Sequence, residues 1–175
     1  MKRITIKKGK HLSNQLTGFH LMNTGLKFEV MFTEDSKYLL EGEDQYDWNK
    51  LYGCSWGFFP LVKSYMMHYN SSRFGCRYNP ELNSYEVTPY YYINGKRHFH
   101  KNVIGVLDLN KVYTFEIIPW FDKVVYNVIE KETGNSILHF ESMENINIYH
   151  GFIAPGYFGG NKTAPKDVSY LFKRL

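Results

Sequence analysis

Hydrophobic and polar residues alternate along much of this chain. Between 26 and 33, one parity carries Leu26, Phe28, Val30 and Phe32, while the other carries Lys27, Glu29, Met31 and Thr33. A period of two is typical of a strand with one buried face. Similar patterns predict strands at 4–6, 26–33, 51–59, 63–69, 73–78, 85–93, 97–100, 112–118, 124–130, 136–141 and 168–172.

Turn residues separate these strands at short intervals. Asn94-Gly95 is a preferred dipeptide for two-residue hairpin turns and predicts a hairpin from 85–93 and 97–100. The acidic segment 34–47 has little periodicity, which predicts a long loop or one short helical turn. Because no amphipathic helix separates the strands, we expect an all-β antiparallel β-sandwich or jelly roll, formed by a single domain at 1–175. The first strand is expected at an edge, and the last strand can pair near it.

Composition agrees with strands rather than helices. The 175 residues include 15 Tyr, 13 Phe and 3 Trp, whereas alanine occurs only as Ala154 and Ala164. Aromatic and β-branched residues fit pleated, half-buried surfaces, and helices draw more on alanine and leucine. Trp56 and Trp120 are predicted to belong to the core.

Charge and termini exclude several classes of protein. The net charge of +4 is too small to indicate nucleic-acid binding. The start Met1-Lys2-Arg3 lacks a following apolar run, because lysines recur at 7, 8 and 10, so no signal peptide is predicted. The longest apolar run, 56–62, contains Gly57 and Pro60 and is too short to span a membrane. We expect a protein located in a virion or the cytoplasm.

Cysteine and histidine spacing does not predict a metal site. Cys54 and Cys76 match neither a CxxC motif nor a zinc pattern, which favours two buried thiols. His98 and His100 share a strand face, but two ligands do not make a site. Asp167 and backbone carbonyls at the end of the loop from Gly159 could hold a cation, although a structural turn is the first expectation. No metal and no cofactor are predicted.

No catalytic motif emerges from the chain. It has neither the Glu-x-Asp-x-x-Glu run of many sandwich hydrolases nor a Gly-x-Ser-x-Gly nucleophile elbow, and the segment 159–163 lacks P-loop spacing. Sandwich enzymes that cleave uronate polymers use arginine, glutamine, histidine and tyrosine. This chain has Arg73, Arg77, His68 and several tyrosines, but glutamine occurs only at 15 and 45. The prediction is nevertheless a protein without enzymatic activity, with a polysaccharide lyase or hydrolase as the least favoured alternative.

Surface aromatic and basic residues give the candidate binding site. Tyr90 and Tyr92 share one parity of their strand, and Arg73 and Arg77 share one parity of another. Tyrosines exposed beside guanidinium groups can stack on sugar rings and donate to hydroxyls or carboxylates. His68 completes this candidate set. The alternative is a cross-strand ladder of tyrosines and cations that only stabilises the sheet.

Three segments carry a resemblance to a known family. They are 70–79 (NSSRFGCRYN), 90–97 (YYYINGKR) and 156–168 (GYFGGNKTAPKDV). From Trp48 onward the chain resembles small, mostly uncharacterised proteins of Bacteroides-group gut bacteria and their phages. It departs from their pattern at Cys76, where an aromatic residue is usual, and at Lys166, where histidine is usual.

The resemblance implies a concanavalin-like β-sandwich and a role in a phage particle. We therefore expect a non-enzymatic accessory virion component that decorates a capsid or tail, or acts in adhesion. Its partners would be other virion or surface proteins and also glycans, with homo-oligomerisation left open. The alternative is a carbohydrate-binding module or lectin.

Overall fold

The computed structural model describes residues 1–15, 19–21, 25–56, 68–100, 102–120, 123–142 and 150–175. Thirteen strands in this part of the chain form two antiparallel sheets. Two short 3₁₀ turns, Glu34–Ser36 and Gly42–Tyr46, occupy the acidic segment. No helix among these residues is long and apolar enough to cross a membrane.

The two sheets are built from strands distant in sequence. Sheet I has six strands, in the spatial order β1 (Lys2–Ile6), β13 (Val168–Arg174), β3 (Leu26–Phe32), β9 (Val112–Trp120), β10 (Lys123–Glu130) and β11 (Ser136–Glu141). Sheet II has seven strands, in the order β2 (Phe19–Leu21), β12 (His150–Ala154), β4 (Asn49–Trp56), β5 (Ser71–Asn79), β6 (Ser84–Ile93) and β7 (Lys96–Phe99), with β8 (Gly105–Leu107) also paired to β6.

Aromatic rings fill the space between the sheets. Phe28 of sheet I lies with its ring centroid 5.4 Å from Tyr52 and 6.4 Å from Phe74, both in sheet II. Phe32 stacks on Tyr85 across the same space, at 3.8 Å. Such pairs add to the hydrophobic burial of large side chains. The excess of aromatic residues in the sequence therefore builds this core.

Buried tyrosines are tolerated because their hydroxyls have partners. Tyr85 donates to the carbonyl of Ser36 at 2.6 Å. The hydroxyls of Tyr126 in sheet I and Ser72 in sheet II lie 2.7 Å apart, which links the two sheets. A buried hydroxyl without a partner would cost free energy, so these contacts make a tyrosine-rich core stable.

The fold confirms the predicted all-β architecture and most of its strands. β1 lies at an edge of sheet I and pairs with β13, as expected. Asn94 and Gly95 have φ angles of 50° and 78°, the left-handed values that a tight hairpin turn requires. The sequence did not predict the short strands β2, β8 and β12.

Several details differ from the predictions. Trp120 is 60% exposed rather than part of the core, because it shares the outward parity of Glu116 and Ile118 on β9. The side chain of Trp56 lies outside the described residues, as does most of the predicted strand 63–69, of which 68 and 69 form a turn. Cys54 and Cys76 are buried and free, as predicted.

Candidate binding site on the outer face of sheet II

Strand alternation places a polar face on the outside of sheet II. Phe74 and Tyr91 turn inward and join the core. Their neighbours in sequence turn outward, so that Arg73 of β5 pairs directly with Tyr90 of β6 and Arg77 pairs with Glu86. The predicted sharing of one face by these arginines and tyrosines is thus correct.

Two glycines, Gly53 and Gly75, lie beneath the side chains of this face and form its floor. Gly53 of β4 pairs with Arg73, and a Cβ at Gly53 would overlap the Arg73 side chain and the carbonyl of Ser72. A Cβ at Gly75 would lie 3.2 Å from the ring of Tyr90 and 3.3 Å from that of Trp48. Because both positions lack a side chain, Arg73 and the ring of Tyr90 occupy the space next to the glycines.

A loop from the C-terminal part of the chain forms one wall. Lys50 and Tyr157 exchange both backbone hydrogen bonds, at 2.7 and 2.8 Å, although they are far apart in sequence. The amide of Gly159 donates to Oδ1 of Asn49 at 2.7 Å, and the Tyr157 ring stacks on His11 at 5.0 Å. These contacts hold Tyr157 beside Lys50.

The hairpin between β6 and β7 forms the opposite wall. The amide of Gly95 donates to the carbonyl of Tyr69 at 2.8 Å, so the turn at His68 is held against the hairpin. Within the hairpin, Arg97 pairs with Tyr92. His68, Tyr92 and Arg97 are therefore neighbours at this wall.

These walls enclose a pocket of about 220 Å³. Every residue that lines it, apart from one glycine, carries a hydrogen-bonding side-chain group. The lining consists of Asp47, Trp48, Lys50, His68, Tyr90, Tyr92, Arg97, Tyr157, Gly160 and Asn161.

Aromatic rings are arranged edge to face within the pocket. The His68 ring lies 5.6 Å from that of Tyr92 and 5.5 Å from that of Tyr157, with interplanar angles of 86° and 81°. The hydroxyls of Tyr90 and Tyr92 lie 3.4 Å apart. The pocket is therefore surrounded by both aromatic rings and hydroxyl groups.

Lys50 is a buried cation in this pocket. Its residue is 6% exposed, and Nζ lies 5.0 Å from the ring centroid of Tyr90 and 5.5 Å from that of Tyr157. Within the described part of the chain, no carboxylate lies within 4.0 Å of Nζ. Burial, together with the positive charge of Arg73, lowers the pKa of Lys50 from 10.5 to about 8. Lys50 therefore remains mostly charged at pH 7.

Neighbouring groups differ in their charge at neutral pH. Burial, assisted by the charges of Arg73 and Lys50, lowers the pKa of His68 to about 4, so that its imidazole is neutral at pH 7. Burial lowers the pKa of Arg73 to about 10, so this guanidinium keeps its charge below the pocket. With Arg97 at the wall, the positive charges outnumber the single carboxylate of Asp47.

The structure brings together only part of the predicted residue set. His68, Tyr90 and Tyr92 line the pocket. Tyr90, however, is 2% exposed, and Arg73 is fully buried, so the prediction that both project into solvent is wrong. The loops that cover this face explain the difference, because the alternation of a strand identifies an outward face but not what packs upon it.

Arg77 lies outside the pocket. Its Nε donates to Glu86 at 2.6 Å, its Nη1 donates to the carbonyl of Tyr46 at 2.9 Å, and its guanidinium lies 4.3 Å from the ring of Trp48. This is the cross-strand arrangement that the sequence offered as the stabilising alternative.

Sequence reasoning missed Lys50, Arg97 and Tyr157. The position of Lys50 directly before the mostly apolar residues 51–54 of β4 was one available signal, because a lysine beside such a run is often covered by other residues. Tyr157 was a second signal, because it is an aromatic residue in the glycine-rich segment 156–160, and aromatic residues in loops can line binding sites. Only the pairing of the two distant segments shows that they meet.

The histidine pair and Asp167 have other roles. The rings of His98 and His100 pack on Tyr91, at 5.1 and 6.0 Å. Asp167 accepts hydrogen bonds from Lys7 Nζ at 2.7 Å and from the amide of Lys8 at 2.9 Å, and the Lys7 contact lowers the pKa of this carboxyl. Among the residues described, no three histidine, cysteine or acidic side chains gather as metal ligands.

Comparison with known proteins finds structural similarity but no family. No protein-family model matches the chain, and no curated protein matches it. One similar structure is the full-length tailspike protein 2 of an Escherichia coli O157:H7 bacteriophage, with 10% identity, a TM-score of 0.46 and 99% of this chain covered. Another is the enzymatically active domain of tailspike protein 2 of bacteriophage CBA120, also with 10% identity and 99% of this chain covered, and with a TM-score of 0.45.

The chain spans about a quarter of each of these tailspike chains, 24% and 27% of their lengths. The comparison contradicts the prediction of a protein without enzymatic activity. One of the similar structures is an enzymatically active domain.

Proposed function

We propose that the protein binds saccharides in the pocket on the outer face of sheet II. The observation that supports this most directly is the lining of the pocket, in which the aromatic rings of Tyr92, Tyr157 and Trp48 stand among hydrogen-bonding side chains. A sugar ring presents an apolar C–H face, which stacks on an aromatic ring, and a rim of hydroxyls, which needs such donors and acceptors.

The size of the pocket favours a short segment of a glycan. Pockets that enclose a drug-sized ligand measure about 300–1,000 Å³, and this pocket measures about 220 Å³. It therefore accommodates one sugar ring, with neighbouring rings of the glycan lying outside. An apolar ligand would leave the buried ammonium group of Lys50 without a polar partner, which is unfavourable.

Binding is tested with a glycan array followed by calorimetric titration of the glycans that bind. Tyr92→Ala and Tyr157→Ala should each weaken binding about tenfold, since each removes a stacking ring from a partly exposed position. Trp120→Ala is the matched control, because it removes an exposed aromatic ring from sheet I and should leave affinity unchanged.

To detect cleavage of the glycan, the release of shorter products is measured in the same samples. If no glycan binds, or if Trp120→Ala weakens binding as much as the two tyrosine variants do, the pocket is not a saccharide site.

Assembly into a phage particle is a separate proposal. It is supported by the resemblance of the segments 70–79, 90–97 and 156–168 to proteins of gut bacteria and their phages. In this proposal the protein decorates a capsid or tail through contacts with other virion proteins. Mass spectrometry of purified particles should detect it at a fixed ratio to the capsid protein, and its absence from particles would refute the proposal.

A further inference from the structure

Three buried carboxylates in the described part of the chain, Glu29, Glu86 and Glu130, have their own counter-ions. Glu29 accepts from Lys131 at 2.5 Å, and Glu130 accepts from Lys111 at 3.0 Å. Glu86 of sheet II accepts from Arg77 at 2.6 Å. Burying a charge is costly unless it is paired, so these contacts are what the fold requires.

Lys50 departs from this rule. Its ammonium group faces the pocket between the rings of Tyr90 and Tyr157, and no carboxylate of the described residues reaches it within 4.0 Å. Ring contacts offset only part of the cost of removing a cation from water. Burial of the Lys50 ammonium group therefore costs free energy, and an anionic ligand beside it would reduce that cost.

The surrounding charges favour an anion of low charge. Arg97 lines the same pocket, and the buried charge of Arg73 lies beneath it. Asp47 also lines the pocket, next to Gly160, and its carboxylate can accept hydrogen bonds from sugar hydroxyls. Positive charge therefore exceeds negative charge at this site, with Lys50, Arg97 and the underlying Arg73 against Asp47.

We propose that the saccharide is acidic and that its carboxylate binds beside Lys50, with Arg97 as the second cation. This inference rests on the proposed saccharide binding and names its ligand class, a uronic acid oligomer. Sulfated sugars carry a similar single negative charge on each substituent, so the experiment separates the two sources of that charge.

The experiment compares ligands that differ only in charge. Tetramers of galacturonate, glucuronate and mannuronate are titrated calorimetrically into the full chain at pH 7, together with their methyl esters, which keep the same ring but carry no charge. A sulfated tetramer of a neutral sugar forms the third arm. We expect at least one uronate to bind tenfold or more tightly than its methyl ester and than the sulfated tetramer.

Variants locate the charge that is recognised. Lys50→Met should reduce the affinity for the uronate at least tenfold and remove most of the preference for the uronate over its ester. Arg97→Gln, at an exposed position of β7, should weaken uronate binding severalfold. Lys123→Met removes an exposed lysine of sheet I and should change neither affinity.

Each outcome separates this inference from the proposed function. Equal binding of uronate and ester, or full uronate affinity in Lys50→Met, would overturn the acidic ligand while saccharide binding stands. Tighter binding of the sulfated tetramer would replace the carboxylate with a sulfate. Binding of no uronate while neutral glycans bind would also overturn the inference, and binding of no glycan at all would overturn both proposals.

Discussion

The outward faces of the two sheets treat charge in opposite ways. On sheet I, Lys27 contacts Glu116 at 2.8 Å and Lys123 contacts Glu141 at 3.2 Å, with these lysines about half exposed. On sheet II, loops cover the face, and Lys50 is buried against tyrosine rings. The charges of the first face are paired with one another, whereas the second face holds the ammonium group of Lys50 with no carboxylate of the described residues within 4.0 Å.

The two faces also respond to opposite ends of the pH range. Burial tends to raise the pKa of Glu116 on sheet I, but hydrogen bonds from Lys27 and Asn127 and the Lys27 charge lower it overall. Stability from this group is present at neutral pH and lost as the pH falls through its folded pKa. The buried Lys50 of sheet II instead becomes less costly as the pH rises.

The largest expected effect comes from adding a side chain at Gly53, beneath Arg73 on sheet II. Gly53→Ala places a Cβ against the backbone of Ser72 and the side chain of Arg73. We expect a loss of about 3 kcal/mol in the free energy of unfolding, typical of strong overpacking. Gly134→Ala, in the hairpin of sheet I where the added Cβ meets open space, should cost about 1 kcal/mol through its left-handed φ alone.

Urea denaturation of both glycine variants provides the measurement. Equal losses would mean that the close packing of Arg73 over Gly53 contributes little to the fold.

The next effect has the opposite sign. Lys50→Met removes a buried cation and leaves an apolar side chain of similar length, so we expect it to stabilise the protein by about 2 kcal/mol at pH 7. A gain in stability together with the loss of uronate binding would show that Lys50 serves ligand binding at the expense of stability. Thermal or urea denaturation measures the gain, and a destabilised variant would show that Lys50 supports the fold instead.

A smaller effect compares one ion pair from each face. Arg77→Met leaves Glu86 in a partly buried position without its partner, and we expect a loss of about 1.5 kcal/mol. Lys123→Met breaks an exposed pair with Glu141 and should cost less than about 0.5 kcal/mol. Denaturation curves of the two variants measure these losses in the free energy of unfolding. Equal losses would show that ion pairs on the two faces contribute equally to stability.

The smallest expected effect is a rise in stability with pH. In the folded protein Lys50 releases its proton near pH 8, whereas in the unfolded chain it holds the proton to about 10.5. The unfolded chain thus binds more protons in this window, and stability should increase by about 1 kcal/mol between pH 7 and 9. The groups facing Lys50 are Asp47, His68, Arg73, Cys76, Tyr90, Arg97 and Tyr157.

Lys50→Met isolates this contribution from the other groups. The difference in stability between the natural chain and the variant should shrink from pH 7 to 9 as the natural chain gains. A constant difference over that range would show that Lys50 titrates normally. Above pH 9, protonated thiols such as Cys54, whose pKa burial raises to about 12, act with the opposite sign.

Local pattern was enough to predict the hairpin that forms one wall of the site and the strand face on its floor. The hairpin of β6 and β7 follows from alternation and from Asn94-Gly95, and alternation also assigns Arg73 and Tyr90 to one face. The burial of these two residues could not be predicted, because it depends on contacts between distant segments. The pairing of Lys50 with Tyr157 is such a contact, and no local pattern indicates it.

The central claim is that the ligand binds the outer face of sheet II, and nuclear magnetic resonance tests it most directly. A uniformly ¹⁵N-labelled sample is titrated with the tightest-binding uronate tetramer, and backbone amide shifts are followed. We predict that the perturbed amides concentrate at 47–50, 90–97 and 157–161. Perturbation centred on 116–120 and 123–127 of sheet I, or spread evenly over both sheets, would contradict the account.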